Sequence, residues 1–456
     1  MAERQHVKEQ DKIERRSNFE AVESNLTPEQ VKLEASRCLK CKNPRCVQGC
    51  PVNINIPGFI GALQEDNLKK AGEIIRETSM LPSVCGRVCP QERQCEGRCV
   101  LGIKGSPVSI GALERYVGDV TEAEIPEIKP SGKKVAVVGS GCAGITAAAD
   151  LRKVGHEVVV FEALHELGGV LRYGIPPFRL PRTILDREIK NLKEMGVKFK
   201  TNVIVGKSIT LKQLKEDGFD AIFICSGAGL PKMLGVSGEN LNGVFSANEF
   251  LTRVNLMKAG RHEGCPTPLH VGKKAAVFGG GNVAMDAART AVRVGFEEVY
   301  IIYRRTEKEL PARLEEIRHA KEEGIIFKFL YAPMEILGED GYVTGVKLEV
   351  MELGAPDESG RQRPVSTGKF ETINLDTVIV ALGTGPNPII QRSAEKEGLE
   401  IITDKWGYIT VDEEKCSTSA ETIYAGGDVA PTGESNAIKA MGAGKKAAKA
   451  INELLK

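Results

Sequence analysis

KKVAVVGSGCAGITAAADLRKVGHEVVVFEA, residues 133–163, reads as a strand, a glycine turn, a helix and a second strand. The strand VAVV runs directly into Gly139, Gly141 and Gly144, which form GxGxxG. In such a turn the first glycine permits a tight bend, the second lets backbone approach a pyrophosphate, and the third lets helix and strand pack closely. The helix that follows presents the positive end of its dipole to the phosphates. Glu162 closes the second strand, where a carboxylate accepts hydrogen bonds from a ribose 2′-hydroxyl. These residues predict a dinucleotide-binding unit.

The pattern recurs at 273–305, KKAAVFGGGNVAMDAARTAVRVGFEEVYIIYRR, with Gly279, Gly281 and Ala284 in the corresponding places and Asn282 and Val283 opening the helix. Its second strand ends on Arg304 and Arg305 where the first ends on an acid. An acid repels a ribose 2′-phosphate, whereas guanidiniums pair with it in bidentate geometry, so NADP(H) is favoured over NAD(H). The plainer alternative is an arginine pair on a solvated strand end. With only the second unit built for a 2′-phosphate, the first is expected to take FAD. In the tail, Gly427 and Asp428 of AGGDVA are placed to bind the ribityl or pyrophosphate region of a flavin, ahead of a helix near SNAIKAMGAGKKAA. Residues 375–387 and 421–431 each read as a later strand ending in a glycine turn. Alternation of Val/Ile-rich runs, glycine turns and helical stretches is the texture of parallel α/β sheets. The expected organisation is α/β: a helical iron–sulfur domain over 1–130, a FAD-binding domain split between 131–245 and 385–456, and an NADP(H)-binding domain over 246–384 inserted within it.

The iron–sulfur assignment comes from cysteines. Eight of the twelve fall within residues 38–99, as Cys38, Cys41, Cys46 and Cys50-Pro51, then Cys85, Cys89-Pro90, Cys95 and Cys99. The start, MAERQHVKEQDKIERR, has no apolar core of a signal peptide, and runs such as AIFIC and TVIVAL are too short to span a bilayer, so the expected compartment is cytoplasmic. There thiols stay reduced, and such a cluster reads as metal ligation. In bacterial ferredoxin runs the last cysteine, followed by proline, ligates the other cluster. By that crossover Cys38, Cys41 and Cys46 take Cys99 as fourth ligand, and Cys50 joins Cys89 and Cys95, leaving Cys85 to compete with a non-cysteine ligand. Zinc is the alternative, but its sites usually pair two CxxC knuckles and one CxxC occurs here. The remaining cysteines, Cys142, Cys225, Cys265 and Cys416, are scattered and read as structural. Residues 1–130 otherwise predict helices: Thr27, Pro28 and Gln30 form a capping box, and 58–78 and 109–120 are helical in pattern, before a linker at 121–134. Composition is that of a soluble globular protein, 41% hydrophobic and 27% charged. Its formal charge of +1 supplies no field for nucleic acid or an anionic membrane.

The ordered set of the double cysteine block, GSGCAG followed by HELGGVLRYGIPPFRLP, GGGNVAMDAART with YRRT, and AGGDVA spans nearly the whole chain. It resembles the glutamate synthase small (beta) subunit family. It is also similar to the large subunit of NADH-dependent ferredoxin:NADP oxidoreductase and to the N-terminal half of dihydropyrimidine dehydrogenase. The resemblance implies FAD, NADP(H) and two [4Fe–4S] clusters, a flavin contact at Gly169 of HELGG, and a side-chain oxygen as the second cluster's fourth ligand. Glu114 stands at the matching place, which leaves Cys85 unligated. GGGNVAMD departs from the GGGDTAMD of dedicated glutamate synthase subunits. Two partners therefore stay open, a glutamate synthase large subunit or the small subunit of a ferredoxin:NAD reductase, with ferredoxin a further candidate. The expected activity is an NADP(H)-linked relay through FAD and the clusters to that partner; the alternative is a zinc-stabilised, NADP-sensing regulatory or scaffold protein. No catalytic side chain is named, because nicotinamide and flavin carry the chemistry.

Overall fold

The computed structural model describes residues 2–125, 127–260, 265–356, 360, 362–431 and 436–456. The capping box forms as the sequence requires: Gln30 N donates to Thr27 Oγ1 at 3.2 Å and Thr27 N to Gln30 Oε1 at 3.0 Å, starting α1 (Pro28–Ser36). The helical stretch expected over 58–78 is broken into α2 (Ile56–Gln64) and α3 (Leu68–Arg76). Asp66 turns into the left-handed region at φ 55°, and the Asn67 side chain caps the new helix by accepting from Lys70 N. Local side-chain capping offers the backbone an exit that periodicity does not show. Next come α4 (Pro82–Val88) and α5 (Ile110–Val120), packed on each other through Val84, Cys85 and Leu113 in one apolar core.

Beyond the linker the chain forms β1 (Lys134–Val138), α6 (Cys142–Lys153), β2 (Glu157–Phe161), β3 (Lys198–Lys200) and β4 (Ala221–Ile224). It leaves this unit through Leu230–Pro231 and returns alongside, Thr384–Gly385 pairing antiparallel with that segment. Between these crossings lie β5 (Val244–Ser246), β6 (Lys274–Phe278), α7 (Asn282–Val294), β7 (Glu298–Tyr303), α8 (Leu314–Glu322) and β8 (Ile326–Phe329). An antiparallel meander follows, β9 (Tyr331–Glu339), β10 (Tyr342–Pro356) and β11 (Gln362–Asn374), and then β12 (Thr377–Val380). β13 (Ile423–Ala425) and α9 (Ala437–Leu455) finish the chain. The first parallel sheet has the order β13-β4-β1-β2-β3 and the second β5-β12-β6-β7-β8, the same topology twice. β5 begins at Val244 because Val244 and Phe245 pair with Val378 and Ile379, so the second sheet reaches across the expected boundary at 245. Among the described residues no helix is long and apolar enough to cross a membrane.

Buried ions tie the units together. Arg15, in the N-terminal segment, donates to Glu323 at 3.0 Å, and Arg289 and Arg293 of α7 donate to the same carboxylate at 2.8 and 2.6 Å. Arg179, from the first unit, makes a bidentate pair with Asp286 of α7 at 2.9 and 2.7 Å, and its Nε lies 2.8 Å from Glu316 Oε1 but out of line for a hydrogen bond. Arg313 reaches back to Arg87 O at 2.7 Å and Gln91 Oε1 at 3.0 Å in the cysteine-bearing unit. Burial pushes Asp286 up to about 6 against the pull of Arg179, whereas Arg293 and Arg289 overcome burial and hold Glu323 down to about 2.

Candidate cofactor and metal sites

At the first glycine turn, a Cβ on Gly144 would stand 2.0 Å from Gly139 O, so only glycine lets α6 start this close to β1. Gly169, at φ 53°, lies so near that a Cβ there would be 2.9 Å from Gly141 Cα. Nothing stands within 4 Å of a Cβ position on Gly141, so space is open over the N-terminus of α6. Glu162 borders that space: its Oε2 accepts from Ser140 N at 3.0 Å and Ser140 Oγ at 2.5 Å, and its Oε1 from Leu164 N at 2.9 Å. Ser140 Oγ accepts in turn from Gly168 N at 2.9 Å, which locks the 168–169 turn onto the glycine loop. Gly427 closes the far side, a Cβ there meeting Ala143 Cβ at 3.2 Å, and the charge of Asp428 is felt by Cys142 and Tyr173. Gly139, Gly141, Gly144, Glu162, Gly169, Gly427 and Asp428 thus converge on one helix end. Ser140 was missed from the sequence, although its place inside the turn is the signal that marks it.

The second turn repeats the opening. Gly281 has only Pro311 Cγ near its Cβ position, at 4.0 Å, and Val283 is exposed. Asn282 Oδ1 accepts from Arg313 N at 2.9 Å, so the residue that opens α7 also holds the segment joined to the cysteine unit. The arginine pair divides: Arg304 is exposed, whereas Arg305 is buried and its Nε donates to Gln362 O of β11 at 2.9 Å.

The thiols gather in two sets. Cys38, Cys41, Cys46 and Cys99 line one cavity with Ile56 and Ile60. Cys50, Cys85, Cys89, Cys95 and Glu114 form the other, each thiol there raised above its ordinary range or acting on its neighbours by charge. Glu114 is 6% exposed and its Oε1 has no hydrogen-bond partner. Burial, with no cation to offset it, pushes this carboxyl up to about 8. A buried acceptor left open beside thiols is the donor set of a metal cluster. Among the described residues, the trios with ligand atoms within 4.8 Å of one another contain no cysteine, whereas four sulfurs on one zinc ion stand about 3.8 Å apart. Those trios, Glu9–His319–Glu322 and Glu9–Glu23–Glu315, belong to the ion network around Arg15 and Arg318. On the second set's flank, Cys85 Sγ lies 3.5 Å from Met441 Sδ of α9, and a Cβ on Gly444 of that helix would be 2.3 Å from Ala143 O of α6. One helix therefore touches both the second thiol set and the first glycine loop.

Comparison with known proteins agrees with this arrangement. The family described as dihydropyrimidine dehydrogenase domain II, 4Fe-4S cluster, matches residues 15–125, and the pyridine nucleotide-disulphide oxidoreductase family matches 100–216 and 133–444. The chain is 37% identical over 453 residues to the glutamate synthase [NADPH] small chain of Halomonas elongata, covering 97% of this chain and 94% of that one. It is 36% identical over 449 residues to the same subunit of Escherichia coli, covering 96% and 94%. Against the NADP(+)-dependent formate dehydrogenase subunit beta of Moorella thermoacetica it is 36% identical over 442 residues, covering 90% of this chain and 60% of that one. Among solved structures, Mycobacterium tuberculosis FprA in complex with NADPH shares the fold at TM-score 0.58 and 21% identity, over 71% of this chain and 84% of that one. An iron–sulfur domain set ahead of a pyridine nucleotide oxidoreductase, and identity along nearly the full length, place this chain in the glutamate synthase small-chain family.

Proposed function

We propose that the chain is the electron-relay subunit of an NADPH-linked enzyme, taking FAD at the first glycine loop, NADP(H) at the second and a [4Fe–4S] cluster at each thiol set. The observation that carries this reading is Glu114, a buried carboxyl whose Oε1 has no hydrogen-bond partner and whose charge is felt by Cys50, Cys85 and Cys95. When bound, the flavin turns hydride transfer from the nicotinamide into single-electron transfer, which the clusters carry onward. The chain's own groups bind and orient. The amide end of α6 and the bare Cα of Gly141 receive a pyrophosphate, and the Glu162 carboxylate accepts from a ribose hydroxyl. Asp428 takes the ribityl side. In the second unit Gly279, Gly281, Asn282 and Val283 shape the pyrophosphate loop, and Arg304 reads the 2′-phosphate while Arg305 secures the β10–β11 hairpin. Cys38, Cys41, Cys46 and Cys99 hold the outer cluster. Cys50, Cys89, Cys95 and Glu114 hold the inner one, against the flavin unit. The domains are read as 1–130, 131–245 with 385–456, and 246–384, with β5 counted in the last.

Arg304→Ala is expected to lower kcat/KM for NADPH about 10- to 100-fold, the worth of charged hydrogen bonds to a phosphate, and to leave that for NADH unchanged in steady-state assays.

The relatives' names, small chain and subunit beta, speak of larger partners, and an open groove beside the outer thiols is the surface proposed for one. Cys99 lines both the outer thiol cavity and an open groove of about 560 Å³ beside it. Around it Leu39 and Ile103 are 55% and 70% exposed, and Lys40, Lys42, Arg45, Arg98 and Lys104 all face solvent. The candidate partners are a glutamate synthase large subunit, or a ferredoxin:NAD reductase small subunit with ferredoxin; this cationic rim would steer an acidic face on any of them. Lys42→Glu with Lys104→Glu is expected to cut the rate to an acidic ferredoxin about 10-fold or more at low salt, with reduction of neutral menadione unchanged. A cytoplasmic setting suits eight thiols kept unpaired.

The test is anaerobic purification. About eight irons with acid-labile sulfide, one flavin per chain and bleaching of that flavin by NADPH support the reading. A colourless protein with stoichiometric zinc overturns it.

A further inference from the structure

Five donors make up the second set, Glu114 among them, and a cubane has four corners to fill. Glu114 Oε1 is open, with no hydrogen bond to give up. Cys85 is already engaged. It is fully buried on α4, one turn before Cys89, whose N–H donates to Cys85 O at 3.1 Å, so the two sulfurs leave the same side of the helix end. Its thiol donates to the Met441 sulfur, 3.5 Å away, and the one-turn spacing sets the Cys89 sulfur on the same side of the helix end, beside it. Once Cys89 is a ligating thiolate, a charge-assisted bond outbids the thioether, and Met441 remains as the packing surface that holds the Cys85 side chain in place.

We propose that Cys85 is not a ligand of the inner cluster but the thiol that hydrogen-bonds the ligating Cys89 sulfur and thereby sets that cluster's reduction potential. The inference rests on the relay reading above. A donor on a ligand sulfur stabilises the added negative charge of the reduced cluster, which moves its potential upward. The proton stays on Cys85 throughout, and no bond is formed or broken. Met441 belongs to α9, which packs on the helix of the flavin loop, so Cys85 sits where the cluster unit meets the flavin unit. Its placement couples the inner cluster's potential to the seating of that helix.

The experiment uses the full chain, purified anaerobically, with Cys85→Ala, Cys85→Ser and Glu114→Ala compared by iron content and by redox titration followed by electron paramagnetic resonance. In Cys85→Ala, iron and sulfide equal those of the parent. The inner cluster becomes about tenfold harder to reduce, equivalent to about 59 mV more negative for a one-electron couple, and the outer cluster's signal stays where it was. Cys85→Ser, which keeps a donor at the same place, recovers part of that shift. Glu114→Ala changes the inner cluster's signal or loses it. Loss of close to half the iron in Cys85→Ala overturns the proposal by making Cys85 a ligand; full iron with an unmoved potential overturns it by removing the hydrogen bond's effect. If the alanine variant fails to fold, Cys85→Val, which also lacks a donor, decides by the same two readings. A parent protein without iron brings down the relay reading itself, which separates the two failures.

Discussion

Arg179→Ala is expected to cost about 3–5 kcal/mol of stability, the range for removing one partner of a buried ion pair. The guanidinium makes both hydrogen bonds to Asp286 and stands against Glu316, and those carboxylates are each 3% exposed. Glu316 keeps Arg289 as a partner, but among the described residues Asp286 has no ion pair besides Arg179. Burial already lifts Asp286 to about 6 with Arg179 present, so in the variant it is expected to take up a proton at neutral pH. Denaturant unfolding of the cofactor-loaded chain checks the loss. Adding Asp286→Asn is expected to restore part of it, because a neutral amide spares the cost of that proton uptake while keeping the shape. Arg179 bridges the first unit to α7, so the single variant is also expected to slow flavin bleaching by NADPH.

Cys46→Ala is expected to remove the outer cluster while leaving the rest of the protein folded. Cys46 is only half-buried, on a four-residue helical turn at the edge of the apolar core, and its removal opens no deep cavity. Iron is expected to fall by about half. Reduction of an acidic ferredoxin should drop by at least the roughly 100-fold that follows from disturbing a metal's surroundings, because Cys99 lines both the outer thiol cavity and the open groove proposed for docking. Bleaching of the flavin by NADPH should proceed at the parent's rate, since the first and second glycine loops lie in other units. Stopped-flow mixing with NADPH, followed by mixing with the acceptor, separates the two steps.

Much of the site was readable from spacing alone. Gly139, Gly141 and Gly144, and their counterparts at 279–284, act through backbone bend and close approach within a few residues, and Thr27 with Gln30 closes its capping box over three. The cysteine crossover placed Cys99 with Cys38, Cys41 and Cys46, and the structure sets those four around one cavity. The break between α2 and α3 was not readable as a helix stop, because Asp66 and Asn67 act through one strained φ and one side-chain cap. The β9–β11 meander was not foreseen either: β11 is exposed along most of both faces, so the alternation that betrays a half-buried strand is missing.

What the sequence determined by itself were the groups whose partners lie within one turn: the glycine loops, the capping box, the strand ends carrying Glu162 or Arg304, and the ordered thiols. The tertiary structure decided the rest. Arg15 meets Glu323, and Cys85 meets Met441, only after the chain has folded across hundreds of residues. Whether Arg304 or Arg305 stays exposed depends on a hairpin that arrives from β11. Charge and sulfur contacts of that kind follow from which surfaces are buried against one another, and burial is a property of the assembled core rather than of any local stretch of chain.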